Sequence, residues 1–452
     1  MSEQRHHVYP EYKASEVCWL SQVPAHWRVT PCRAIVSERT AKNEGAKDQN
    51  YLSLMANIGV IKYEDKGDVG NKKPDDLSKC KIIKKGDLVI NSMNYAIGSY
   101  GMSAYDGVCS PVYIILRNRK EVVHRRFALR LFENAPFQKY LSIFGNGILE
   151  HRAAIGWDDI KGAYVPIPPL DEQHKILTFL DHETARIDRL IEKQEALIRL
   201  LKEKRQAVIS HAVTKGLNPH APLRDSGIEW LGQVPAHWRE YPLKNLCGIK
   251  HGYAFDSDEF SDSGEFLLMT PGNFVQRGGF RHMNPPKYYV GKNYPKEFIL
   301  KPRQLLVAMT EQGPGLLGCS LLVPTEGTYL HNQRLGLVRD VRSEKLSDRY
   351  LFHLFNSPRY RAEVITSATG TKVQHTSPEK LLSIRVFVPE VPEQEAIADF
   401  IDAAIVKFDA LEAKADNTIT LLKERRTALI SAAVTGKIDV RHWQPPSASA
   451  AN

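Results

Sequence analysis

Cysteine is scarce and scattered in this 452-residue chain. The six cysteines stand at positions 18, 32, 80, 109, 247 and 319, with no Cys-x-x-Cys pair. That spacing argues against a cysteine zinc site or a disulfide framework and for a reduced, cytoplasmic compartment. Long apolar runs are missing too. No uninterrupted stretch approaches the roughly 18–20 residues that span a bilayer. The opening MSEQRHHVYPEYK lacks the apolar core of a signal peptide. Catalytic signatures are equally thin. No Walker A motif, no His-Glu-x-x-His and no Gly-x-Ser-x-Gly occurs, and none of the 16 histidines is spaced with cysteines as a metal ligand.

Two partial motifs need weighing. GPGLLG at Gly313–Gly318 fits Gly-x-Gly-x-x-Gly, but Pro314 sits inside it and the CSLLVP that follows reads as strand. A dinucleotide site needs a helix opening there, so a glycine-rich hairpin is the better reading. NPPKYY at Asn284–Tyr289 approaches the Asn/Asp-Pro-Pro-aromatic motif of amino-methyltransferases. Its fourth residue is Lys287, where a ring would stack on a flipped base. A surface loop is the default there.

What is present is repetition. WLSQVPAHWR at Trp19–Arg28 returns as WLGQVPAHWR at Trp230–Arg239, 211 positions later. LLKEKRQAVISHAVTKGL at Leu200–Leu217 returns as LLKERRTALISAAVTGKI at Leu421–Ile438, shifted by 221. PIPPLDEQHKI at Pro166–Ile176 returns as VPEVPEQEAI at Val388–Ile397 with the same shift. The chain is therefore two tandem copies of one unit of roughly 210–220 residues, far too long a period for a solenoid. A length of 452 residues and an ordinary 25% of charged residues suit two or more folded domains.

The stretch after each proline-rich turn reads as a long helix. Ile176, Leu180, Ile187, Leu190, Leu197, Leu201 and Val208 step by four and three, interrupted by Glu183, Gln194 and Lys204. The second copy runs Ile397, Ile401, Ala404, Phe408, Leu411, Ala415, Thr418, Leu422 and Leu429, interrupted by Arg425. Such a seam predicts two helices packed on each other, each of about 43 residues and roughly 64 Å. Gly216 and Gly436 mark their ends. Net charge is +9, yet 171–213 balances eight acids with eight bases and 392–434 holds eight acids against five bases. The helices sum to −3, so the remainder carries +12. That basic excess, outside the helices, suits an acidic partner such as nucleic acid.

The variable regions, about 30–165 and 240–388, are strand-rich. KIIKKGDLVINS, SPVYIILR, RQLLVAMT and RLGLVR read as strands, and HRRFALRLFENAPFQKYL and DRYLFHLFNSPRYRAEV as short helices. The fold class is α+β: two tandem mixed α/β domains separated by two long antiparallel coiled-coil-like helices, in a pseudo-two-fold repeat. His26 and His237, with Trp19, Trp27, Trp230 and Trp238, are read as structural residues at the domain-to-helix junction.

This order of elements, twice over and covering nearly the whole chain, resembles the specificity subunit of type I restriction–modification systems. The resemblance implies a non-catalytic DNA-recognition subunit. Target-recognition domains are expected over 1–168 and 218–391, spacer helices over 169–217 and 392–438, and a flexible tail over 439–452. Each domain would read half of a split, asymmetric DNA target, and the helices would set the spacer. Shortening either helix by a turn would then change spacer length before half-site sequence. Modification subunits (two, to match the repeats) and restriction subunits are the implied partners. S-adenosylmethionine, ATP and Mg²⁺ are expected on those partners and no cofactor on this chain.

Base-reading residues are chosen by chemistry, since the family gives no short base-reading motif. Asn91, Ser92, Asn94, Tyr95 and Arg152 are candidates in the first domain; Thr310, Gln312, Gln333, Arg334, Thr371, Lys372 and Gln374 are candidates in the second. Lys84, Lys85 and Arg126 are candidates for phosphate contact. Three other readings stay open: an orphan or decoy recognition protein, a single-chain methyltransferase or nuclease, and a coiled-coil scaffold without a nucleic-acid role.

Overall fold

The computed structural model describes residues 7–69, 72–144, 154–276, 278–311, 315–370 and 373–445. The chain divides into two compact units. One comprises 1–195 and 416–452, the other 196–415.

In the first unit a four-stranded antiparallel sheet is built from β1 (Val36–Glu38), β2 (Leu88–Asn91), β3 (Tyr100–Met102) and β4 (Tyr113–Asn118), in the order β1-β4-β2-β3. The helices α1 (Arg125–Glu133) and α2 (Ala135–Ser142) follow, and then the long α3 (Leu170–Lys215). The core joins Leu88, Ile90, Ile114 and Leu116 of the sheet to Phe127, Leu131 and Phe137 of the short helices. Phe179 and Leu180 of the long helix complete it. Alternation along LVIN and YIILRN supplies the inward residues, as period-two strands require.

The second unit repeats that plan. Here β5 (Gly248–His251), β6 (Leu305–Ala308), β7 (Ser320–Leu322) and β8 (Leu335–Arg339) pair antiparallel in the order β5-β8-β6-β7, the same topology. The helices α4 (Asp348–Phe355), α5 (Pro358–Thr366) and the long α6 (Val391–Val434) follow. Ser347 and Ser357 cap α4 and α5, as His124 and Asn134 cap α1 and α2. Divergence is confined to the additions. The second unit carries a five-stranded sheet that includes Phe266–Met269 and Thr328–His331 paired in parallel. The first carries instead a hairpin (Leu52–Met55, Gly59–Lys62) and a strand pair (Lys81–Ile83, Gly107–Cys109).

Each unit shows the long helices packed antiparallel. In the first, Asp188 of α3 pairs with Arg426 of α6 at 3.1 Å, and Arg426 also reaches Glu133 at 3.2 Å. In the second, Arg205 of α3 pairs with Asp409 of α6. These are twins under the 221 shift, since 188 + 221 = 409 and 205 + 221 = 426. The same bridge is thus made twice with the helices exchanging roles. The buried rows differ from the sequence reading by one residue. The row Leu180, Ile187 and Leu201 is buried as expected, but its companion is Thr184, Ile198 and Arg205, while Leu190 and Leu197 stay exposed. On α6 Ala415 and Ile419 are buried and Leu411 is exposed. Apolar residues flank the seam on both sides, so hydrophobicity alone cannot choose between adjacent rows. The Arg–Asp pairs choose.

The helices stop where glycine allows it. Gly216 and Gly436 adopt φ of +72° and +73°, a left-handed conformation that ends a helix cheaply only at glycine. A side chain at Gly436 would also strike the ring of Pro24, 2.3 Å away. After Gly436 the chain does not become loose. Asp439 donates its N–H to the His7 carbonyl at 2.7 Å, Val440 is buried, and Trp443 packs on Phe179. This corrects the expectation of a flexible tail from 439. Residues 315–318 of GPGLLG lead into strand β7, with no helix between.

His331, in the added sheet of the second unit, is buried. Its Nε2 donates to the Leu335 carbonyl at 2.9 Å, and burial lowers its pKa from 6.5 to about 4. The unfolded chain takes up this proton below about pH 6.5, and the folded one only near pH 4. Stability present at neutral pH is therefore lost across that window, about 3 kcal/mol from this group. Urea unfolding between pH 7 and 4 checks it: His331→Gln, which keeps a donor, flattens the dependence. An unchanged slope contradicts the assignment.

Candidate nucleic-acid interface

The repeated Trp-Leu block explains how each sheet is held on its long helix. In the first unit the Glu172 carboxylate accepts from the Tyr9 hydroxyl (2.6 Å), His26 Nε2 (2.7 Å) and Trp27 Nε1 (3.0 Å). Burial, with Glu172 beside it, raises the Tyr9 pKa and keeps its proton in place. In the second unit Glu393 accepts from His237 Nε2 (2.8 Å) and Trp238 Nε1 (3.1 Å). The next residue serves the other side. Gln173 accepts the His124 N–H (2.8 Å) and donates to the Val122 and Pro168 carbonyls. Gln394 accepts the Ser347 N–H (2.8 Å) and donates to the Lys345 and Pro389 carbonyls. A Glu-Gln pair at the start of each long helix therefore grips the Trp block with one residue and the cap of the short helix with the other. The structural reading of His26, His237, Trp27 and Trp238 holds. The Glu-Gln partner was visible in both DEQ and PEQ but carries no chemical signature by itself.

This clasp presents one end of each four-stranded sheet. In the first unit β2 runs into the turn Asn91-Ser92-Met93-Asn94. The Asn91 side chain accepts the Met93 N–H at 3.1 Å, and the Ser92 carbonyl accepts the Ile155 N–H at 3.1 Å. Asn91 and Asn94 line a cleft of about 170 Å³ with Ser53, Ser99, Tyr113 and Lys66. Lys66, which the sequence reading passed over, is a buried cation in that wall. Its Nζ donates to the Val69 carbonyl at 2.6 Å.

In the second unit β6 runs into Met309-Thr310-Glu311 between two segments. The Met309 N–H donates to the Arg334 carbonyl at 3.0 Å, and the Glu311 N–H to the Gln374 carbonyl at 3.0 Å. Thr310 bridges to His375. Thr310, Gln333, Arg334 and Gln374 thus meet at this sheet end, with Gln333 and Arg334 exposed. His375, also exposed beside them, was missed because a lone histidine in a loop has no pattern.

Other candidates lie elsewhere. Tyr95 is a core residue: its ring is buried and its hydroxyl donates to the Phe132 carbonyl, so it supports the turn and faces no ligand. Arg126 pairs with Asp181 of α3, as its counterpart Arg349 pairs with Asp402 of α6 at 2.6 Å. Both brace the long helix, and the Arg126 side chain stays 47% exposed. Lys84 and Lys85 flank the opposite, starting end of β2, where Asp106 accepts from the Lys84 ammonium (3.2 Å) and the Lys85 N–H (2.7 Å). Arg152, Gln312, Thr371 and Lys372 lie outside the described residues. No group of three or more His, Cys, Asp or Glu suited to a metal occurs among the described residues.

With this geometry in place, comparison with known proteins is decisive at the level of family. The model of the type I restriction modification DNA specificity domain matches residues 36–200 and again 235–421. The chain belongs to this family. It is 26% identical over 285 residues to the type I restriction enzyme MjaVIII specificity subunit of Methanocaldococcus jannaschii, covering 62% of this chain and 63% of that one. It is 26% identical over 216 residues to the EcoBI specificity subunit of Escherichia coli, covering 48% and 42%. The chain thus spans less than two thirds of these relatives. A putative MjaX specificity subunit from the same archaeon aligns over 95% of this chain and 97% of its own length, at 22% identity. Among solved structures, a chain from a study of complex assembly and conformational transition of the type I R-M system superposes with a TM-score of 0.67. It is 15% identical and covers 92% of this chain and 99% of that one. The HsdS subunit of Thermoanaerobacter tengcongensis superposes with a TM-score of 0.51, also at 15% identity, covering 92% and 98%. The two-domain specificity-subunit fold is shared.

Proposed function

We propose that this chain is the DNA specificity subunit of a type I restriction–modification complex and reads a split, asymmetric target. The observation that carries this reading is the duplicated sheet end. The same four-stranded topology occurs twice on matching Glu-Gln clasps, yet one end presents Ser92 and Asn94, with Asn91 buried beside them, and the other Thr310, Gln333, Arg334 and Gln374. Identical scaffolds bearing different polar sets suit two readers of different half-sites. Asn and Gln pair with adenine edges and Arg with guanine, while lysines position on phosphate. The chain itself carries no catalytic step. Modification and restriction subunits bind it and bring S-adenosylmethionine, ATP and Mg²⁺.

Footprinting of the complex with its modification subunits tests this. Two protected DNA segments separated by a weakly protected spacer are expected, and one continuous footprint contradicts it. Arg334→Ala should cost about 1–3 kcal/mol of DNA binding and relax one half-site only. Uniform weakening on all sequences would reassign Arg334 to the backbone.

A further inference from the structure

The end of β2 in the first unit is polar where its twin in the second unit is apolar. Asn91 donates its backbone N–H to the Ser99 carbonyl at 2.9 Å, and Ala308 donates its own to the Cys319 carbonyl at 2.8 Å. Ala308 and Cys319 are wholly buried in an apolar cluster. Asn91 and Ser99 are almost as buried, at 7% and 4% exposed, yet they line the cleft of about 170 Å³ with Ser53 and Lys66, at 7% and 9%. Four buried polar side chains thus converge from different elements. Ser53 comes from the hairpin, Lys66 from the helical turn after it (Tyr63–Lys66), Asn91 from β2, and Ser99 from just before β3. Their partners are few. The Lys66 ammonium has the Val69 carbonyl and the face of the Tyr63 ring, 4.8 Å away, and forms no ion pair among the described residues. The Ser53 and Ser99 hydroxyls and the Asn91 amide nitrogen make no hydrogen bond among the described residues. Buried donors, a buried cation above all, are costly to leave unpaired.

We propose that this cleft binds a phosphate group, held by Lys66, Asn91, Ser53 and Ser99. A backbone phosphate of DNA and a free phosphate share that chemistry, and the DNA source rests on the specificity-subunit reading. The donor set selects the ligand. A buried ammonium calls for a negative partner, which favours an anion over the neutral edge of a base. Hydroxyl and amide donors arriving from several elements suit acceptors that point in several directions. A phosphate is tetrahedral, whereas a carboxylate keeps its acceptors in one plane. Asn94 also lines the cleft, so a DNA phosphate seated here lies beside a base-reading candidate and fixes its register. The second unit has Ala308 and Cys319 at the matching positions, so this anchor belongs to one half-site alone.

The test uses the full chain in complex with its modification subunits. Duplexes of the methylated target carry one neutral methylphosphonate linkage at a time through both half-sites. Wild type is compared with Lys66→Met and with a double variant, Asn91→Ala and Ser99→Cys, which installs the residues of the twin and is expected to melt no lower than wild type. For wild type, neutralising one linkage at a single half-site is expected to weaken binding about 10-fold. That linkage loses its effect in Lys66→Met, and its effect shrinks in the double variant. In a second arm inorganic phosphate is added to the full chain without DNA. If no linkage behaves this way but phosphate raises the melting temperature of wild type and of neither variant, the cleft serves a free phosphate. If neither arm separates wild type from the variants, the proposal is overturned. Variants that lose modification-subunit binding without DNA assign the cleft to a protein carboxylate and also overturn it. A complex without sequence preference overturns the specificity-subunit reading, while the inorganic phosphate arm still decides the cleft.

Discussion

Glu172→Ala destabilises the first unit by about 3 kcal/mol, whereas Glu393→Ala costs the second about 1 kcal/mol. The two carboxylates are sequence twins, so the difference comes from their surroundings. The Glu172 side chain is 4% exposed and carries three donors, of which Tyr9 and Trp27 are themselves buried. Removing the acceptor leaves two buried donors unpaired, and each loses a full desolvation penalty. The Glu393 side chain is 34% exposed and, among the described residues, accepts from His237 and the buried Trp238. Its loss unpairs one buried donor where Glu172→Ala unpairs two, beside a carboxylate position that water reaches. Urea unfolding of each variant, followed by tryptophan fluorescence, reads the effect. Equal losses at the two sites would contradict the clasp as described.

The second large effect concerns the helices. Deleting Arg189–Glu195 from α3 with Ile419–Arg425 from α6 removes one heptad from each of two facing segments of the first unit. The Asp188–Arg426 pair fixes which residues face one another. A whole heptad preserves the buried rows and shortens the pair by about 10 Å. The helices are the long elements that pass from one unit into the other. If they set the spacer, the methylated motif keeps both half-sites and its spacer shortens by about three base pairs. Mapping methylation in cells carrying the deletion reads this directly. An unchanged spacer contradicts the ruler, and altered half-sites would place specificity in the helices.

Much of this was legible in the residues, and the rest was not for definable reasons. The duplicate blocks disclosed the two units, and strand and helix runs such as KIIKKGDLVINS and HRRFALRLFENAPFQKYL lie where the pattern placed them. The seam was misplaced by one residue because the exposed Leu190 and Leu197 are more apolar than the buried row of Thr184, Ile198 and Arg205. The Arg205–Asp409 and Arg426–Asp188 pairs, invisible as a pattern, mark the register. A basic residue at a helix start serves a phosphate or a helix strut equally well, so the Arg126–Asp181 pair, repeated at Arg349–Asp402, was not legible. Tyr95 misled because polar neighbours hid a core residue. The packed segment Asp439–Trp443 depends on contacts with His7 and Phe179, which no local pattern announces. Residues that read DNA carry the weakest signature of all, since Asn, Gln and Thr in loops also cap turns, as Asn91 does.

The central claim is that this chain directs modification to one split DNA target. Genome-wide mapping of N6-methyladenine by long-read sequencing, in cells with and without the gene, tests it most directly. A single asymmetric motif of two half-sites and an unread spacer is expected to lose methylation when the gene is deleted. A methylome unchanged by the deletion, in cells shown to express the chain with its modification subunits, would contradict it.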